Sequence, residues 1–113
     1  MLVDIQKVQI TVTVPHDYVK TVLNAIWSIG AGVIGNYTNC SLSTKCIGTF
    51  KPNSQATPFI GNNNSLEHVE EEQIEVTCNI NEVKKVVEKI REVHPYEEPA
   101  INIVPLMDIN NFK

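Results

Sequence analysis

Strand-like and helix-like segments follow one another along this 113-residue chain in the order β-α-β, then β-α-β again. That order predicts an α+β fold, a ferredoxin-like sandwich of four antiparallel strands with both helices on one face. Three observations carry the prediction. Residues 7–15 alternate between apolar and polar side chains. Two stretches carry apolar side chains at three- and four-residue spacing. Each of those stretches has strand-like sequence on both sides.

In the first strand Val8, Ile10, Val12 and Val14 fall on one side and Gln9, Thr11 and Thr13 on the other, the period of two of a half-buried strand. Pro15 and His16 lead into a helix with Asp17 near its start, where a carboxylate suits the helix dipole. Val19, Val22, Leu23, Ile26 and Trp27 make one apolar stripe, and Gly30 stops the helix. Residues 37–50 are β-prone in composition. Residues 51–64 form a polar, proline-containing loop longer than usual connections, which hints at function or an oligomer contact. Phe59 and Ile60 in that loop are expected to tuck back onto the body or onto a neighbouring subunit.

From residue 66 to 78 an acidic run, Glu67-His68-Val69-Glu70-Glu71-Glu72, precedes the alternation of Ile74, Val76 and Cys78. The alternating part is the core of a strand, and the acidic part is expected to be its solvated extension. Val83, Val86, Val87, Ile90 and Val93 form a second helical stripe, with Asn79 or Asn81 as the expected cap. Pro95 disfavours helical dihedrals at His94, so this helix should stop near Val93. Residues 100–106 read as the last strand and 107–113 as a loose tail. The whole is one domain, residues 1–113, with its core about 7–106. Two helices cover one sheet face only, so the other face calls for a second subunit.

Composition narrows the function. At 42% hydrophobic and 19% charged, with net charge -4, the chain lacks the clustered Lys and Arg that a nucleic-acid partner requires. No apolar run reaches membrane-spanning length, and the first residues do not read as a signal peptide. The three cysteines form no CxxC pair, which fits a reducing compartment and a cytoplasmic location. Cys40 and Cys46, six positions apart, would lie about 20 Å apart on an extended strand and cannot bridge there.

Gly30-Ala31-Gly32-Val33-Ile34-Gly35 has the letters of G-x-G-x-x-G, but it follows a helix and precedes strand-like sequence. A dinucleotide site needs the reverse, so these glycines read as a cap and a turn. The chemically richest string is His94-Pro95-Tyr96-Glu97-Glu98-Pro99. A metal site would draw on His94, Glu97 and Glu98, with Cys40 or His68 from elsewhere. Adjacent glutamates in extended chain point to opposite sides and do not share one ion easily. The plainer reading is a stiff corner in which the carboxylates meet backbone amides or Arg91. Tyr37, Phe50, Phe59 and Tyr96 are candidates for ligand or interface contacts. No nucleophile with a nearby base stands out, so no catalytic residue is assigned and an enzyme is not expected.

Several strings together carry a resemblance: residues 30–37, Cys40-Ser41, residues 48–52, Pro58-Phe59-Ile60-Gly61 and residues 94–99. In this order they resemble YqfO-like proteins, specifically the insert domain of the dinuclear-metal hexameric proteins of the NGG-interacting-factor type. That insert is similar in fold to the PII signalling proteins and to CutA, the divalent-cation-tolerance protein. The resemblance spans about residues 7 to 106 and implies a PII/CutA-like homo-oligomer, with a trimer favoured and the 51–64 loop near a subunit boundary. The metal ligands of the longer proteins lie in flanking halves, so they are not carried onto these residues. Two functions are therefore expected to compete. One is a non-catalytic module binding a divalent metal or small ligand at a subunit interface. The other is a purely structural oligomerisation or protein-docking domain.

Overall fold

The computed structural model describes residues 3–113. Its main elements are β1 (Lys7–Pro15), α1 (Val19–Ser28), β2 (Leu42–Phe50), β3 (Glu67–Asn79), α2 (Val83–Val93) and β4 (Ile101–Leu106). The strands form one sheet in the order β2-β3-β1-β4, and every neighbouring pair is antiparallel. The βαββαβ order and the four-stranded α+β sandwich are those the periodicities indicate.

The register explains the core. Val12 pairs with Ile74 on one side and Ile101 on the other, and Ile10 with Val76 and Ile103. The apolar residues of β1 and β3 thus share the face that receives the helices. Val22, Leu23 and Ile26 of α1 and Val86 and Ile90 of α2 close over them. Ile10, Ile26, Ile74 and Ile90 are fully buried, and each such burial stabilises by about 1.5–3 kcal/mol.

The helix ends follow the local sequence, with two differences. α1 ends where Gly30 takes φ +98° and its N–H reaches the Trp27 carbonyl, at 2.9 Å. α2 ends at His94, whose ψ of 135° is extended, as Pro95 requires. A 3₁₀ turn (His16–Tyr18) holds Asp17, so the α-helix proper begins later, at Val19. Asn79 does not cap α2; its amide donates to the Glu82 side chain at 3.0 Å. β2 is also shorter than the β-prone stretch, because Asn39 takes positive φ and the chain does not become extended strand until after residue 41.

β3 outruns its neighbour. Its last pairing with β1 is Pro15 with Glu71, and beyond it Glu67, His68, Val69 and Glu70 pair only with β2. This projecting hairpin gives the molecule extents of 51 × 31 × 23 Å and a radius of gyration of 15.8 Å. A self-contained chain of this length has a radius near about 13 Å. The accessible surface is 7795 Å², against about 6,200 Å² for a typical monomer of this mass. Leu42 on β2 and Ile103 and Val104 on β4, the two edge strands, are among the exposed apolar residues. Among the described residues no helix is long and apolar enough to cross a membrane.

Candidate functional site

The sheet face opposite the helices is not wholly bare. At the hairpin end, the 51–64 loop and the corner at residues 94–100 fold over it and border a half-open cavity of about 570 Å³. Its floor is strand: Thr13 of β1, Cys46 and Gly48 of β2, Glu71 and Gln73 of β3. Its walls are Phe50, Pro52, Pro58, Phe59 and Ile60, with Tyr96, Glu97 and Glu98 from the corner. The sheet face expected to need another subunit is therefore covered in part by this chain's own loop.

The corner is tied down by His94. The ring is buried, with 6% of its surface exposed. Nε2 lies 2.8 Å from the Thr13 carbonyl and Nδ1 lies 3.1 Å from the Tyr96 amide nitrogen. The amide can only donate, so Nδ1 is the acceptor and Nε2–H the donor, which defines a neutral imidazole. Burial lowers the pKa of His94, against smaller opposing effects of the Thr13 carbonyl and the Glu71 charge. The ring is a clamp between β1 and the corner.

The metal set named from sequence does not converge. Both His94 nitrogens are spent on backbone. Glu97 accepts from the Thr57 N–H at 2.9 Å, which pins the loop to the corner. Cys40 bonds to the turn carbonyls of Tyr37 and Thr38, and its N–H reaches the Gly32 carbonyl. Gly32 is itself tied to Thr77, four residues along β3 from the partner of Thr13, or about 13 Å of strand away from the His94 clamp. Glu98 lines the cavity rim. Among the described residues no three His, Cys, Asp or Glu side chains gather closely enough to hold an ion.

Of the aromatic candidates, three meet. Tyr96 stands between Phe50 and Phe59, with ring centroids 6.1 and 6.4 Å away, and Phe59 also meets Tyr18 edge-on at 5.7 Å. Phe59 thus tucks back as expected. Tyr37 lies in the turn before β2 and is 75% exposed, away from this group.

Sequence reading missed Glu71. It belongs to the acidic run expected in solvent, yet it is 6% exposed. Its side chain lies against Gly48, so closely that a methyl group on that glycine would collide with the carboxylate. Gly48 therefore makes room for the acid. The Glu71 Oε2 and the Tyr96 hydroxyl are both buried and lie close together, the phenol O–H being the group placed to donate to the carboxylate. Burial first, and then the Glu71 charge, push the Tyr96 phenol well above its ordinary pKa. The Cys46 thiol is likewise raised, by burial and then by Glu71. The signal in sequence was parity: Glu71 shares its strand face with Gln73 and Glu75, opposite to Ile74 and Val76. That a loop 51–64 would roof this face is not visible in any such pattern.

No family model matches the chain. The GTP cyclohydrolase 1 type 2 homolog of Halalkalibacterium halodurans is 44% identical over 98 residues, which are 87% of this chain and 26% of that protein. A solved Bacillus cereus protein related to NIF3 superposes with TM-score 0.80 at 34% identity, covering 92% of this chain and 26% of that one. CutA1 of the psychrotrophic bacterium Shewanella sp. SIB1 superposes with TM-score 0.70 at 14% identity, covering 93% and 85%. The last likeness is one of fold. The chain spans about a quarter of the length of the curated relatives it matches.

Proposed function

This chain is a homologue of the YqfO-like proteins of the NGG-interacting-factor type, corresponding to about a quarter of their length, and on that premise we propose that it is a non-catalytic, self-associating module that binds a small ligand. One observation carries the reading: the cavity of about 570 Å³ on the sheet face, with the buried Glu71 carboxylate, which has no cationic partner among the described residues, in its lining. The volume lies within the range of small-molecule sites, which are mostly apolar with a few placed polar groups. A buried carboxylate without a partner costs stability and is retained where it meets something else.

The cyclohydrolase activity named in the curated relatives is not proposed for these residues. An activated nucleophile or base needs a pKa drawn towards neutrality. The Cys46 thiol and Tyr96 phenol in this cavity move the other way. A divalent metal is not the ligand proposed either, because His94 has no ring nitrogen left to give.

A second reading, a structural homo-oligomerisation unit, is favoured by the surface of 7795 Å² and the apolar residues on both sheet edges. The excess over a typical monomer, about 1,600 Å² on one chain, is about twice what one partner contributes to a standard interface. The two readings are compatible, with a trimer favoured. Thermal melting against a chemically diverse small-molecule library, beside light scattering, tests them together. Ligand binding requires at least one compound that raises the melting temperature in wild type and fails to do so in Gly48→Ala. A library without such a compound, together with a stable oligomer, would leave only the structural role. A monomer by light scattering removes self-association.

A further inference from the structure

The cavity has a sign and a shape that select its occupant. Glu71, Glu97 and Glu98 line it, and the only cation among the described lining residues is Lys51. Glu97 already receives the Thr57 N–H. Glu71 has no ion pair among the described residues, and the donor that meets it is the Tyr96 hydroxyl. Around it stand the Phe50, Tyr96 and Phe59 rings, backed by Pro52, Pro58 and Ile60.

Each ligand class meets a different fate here. An anion would enter a cavity lined by three carboxylates with no arginine to receive it. A wholly apolar ligand would fit the walls but leave the Glu71 charge with only the Tyr96 hydroxyl beside it, which is costly. A bare divalent ion would need about six oxygen ligands or a convergent His/Cys set, and no such cluster occurs among the described residues. A cation carried on an apolar body satisfies every group at once. Its N–H donates to the Glu71 carboxylate, its charge lies near the Tyr96 ring, and its body covers the prolines and Ile60.

We infer that the cavity binds a small primary or secondary organic ammonium, held at its charged end by Glu71 and Tyr96 and along its body by Phe50 and Phe59. This inference rests on the small-ligand reading above and names its chemistry. N–H donors are required, so a quaternary ammonium of equal size binds less well. Glu71 is the group that tells ammonium from alcohol, and Gly48 is the residue that lets Glu71 sit there.

Isothermal titration of the full chain with benzylammonium and phenethylammonium chlorides tests it, with benzyl alcohol, phenylacetate and inorganic phosphate as neutral and anionic probes. The ammonium probes should bind about tenfold or more tightly than benzyl alcohol, and Glu71→Gln should erase that difference. Gly48→Ala, which displaces the carboxylate without removing it, is the second variant and should weaken the ammonium probes in the same sense. Circular dichroism of each variant verifies its fold. If benzyl alcohol or phenylacetate binds as tightly as the ammonium probes, or if both variants keep the preference, the ammonium assignment is overturned while the small-ligand reading stands. If none of the five probes binds, the assignment is also overturned, and the diverse library then decides the reading beneath it.

Discussion

Replacing His94 by alanine should destabilise the fold through two backbone groups rather than through any lost ligand. The imidazole, itself buried, satisfies the Thr13 carbonyl at 2.8 Å and the Tyr96 N–H at 3.1 Å, both at part-buried positions. Each buried polar group left unpaired costs about 1–3 kcal/mol, so the pair costs about 2–6 kcal/mol. Unfolding entropy of about 2.1 cal/mol/K per residue makes 1 kcal/mol worth about 4 °C in this chain, which places the loss at about 8–25 °C. The assay is thermal unfolding by circular dichroism at one fixed protein concentration, since self-association would make melting concentration-dependent. Lys89→Ala is the control, because its 3.4 Å bridge to Glu92 is exposed and should cost less than about 1 kcal/mol. Chelation by EDTA should leave wild-type melting unchanged. A loss below about 2 °C in His94→Ala, or a melting drop with EDTA of the size the mutation gives, would refute the clamp.

Four further outcomes follow from the same geometry. Burial lowers the folded pKa of His94 below its ordinary 6.5, so the unfolded chain takes up the proton first as pH falls. The stability His94 contributes is then fully present above about pH 6.5 and declines below it. His94→Gln should lose that part of the pH dependence in melting curves recorded from pH 5 to 8. Glu71→Gln should raise the melting temperature of the ligand-free protein by a few degrees, since it removes a buried carboxylate with no cationic partner among the described residues; a drop would show that the Tyr96 hydroxyl already satisfies Glu71. Gly32→Ala should destabilise by about 1–3 kcal/mol, because φ is +78° and the new methyl would stand 2.7 Å from the Cys40 carbonyl; chemical denaturation measures it. Cys46 and Cys78 should react slowly with iodoacetamide at pH 8, because burial raises both thiols, and mass spectrometry of the native protein would show early labelling there if this is wrong.

The fold was legible because its signals are local. Val8 to Val14 alternate, two helical stripes stand between strands, and Gly30 and Pro95 mark where the helices end. The glycine string at residues 30–35 was also legible as a turn from its order in the chain. The site was legible only in part. The corner at residues 94–99 was found by its composition, but its roles were reassigned. His94 holds backbone, Glu97 holds the loop, and Tyr96 faces Glu71. Glu71 itself was hidden in an acidic run, because charge alone says water and only the pairing of β3 with Gly48 makes a place for the acid indoors. Cys40 was set beside His94 on residue type, whereas sheet register separates them by the distance from Thr77 to Gln73. Register and loop docking depend on contacts far apart in sequence, and no local pattern encodes them.

The most direct test of a ligand site at Glu71 is where, not whether, a ligand binds. Backbone amide shifts of ¹⁵N-labelled protein, titrated with the best compound from the melting screen, locate it. The account predicts the largest changes at Gly48, Phe50, Gln73 and Tyr96, around the cavity. Changes concentrated instead at Gly32, Cys40 and Thr77, or along β4, would contradict it.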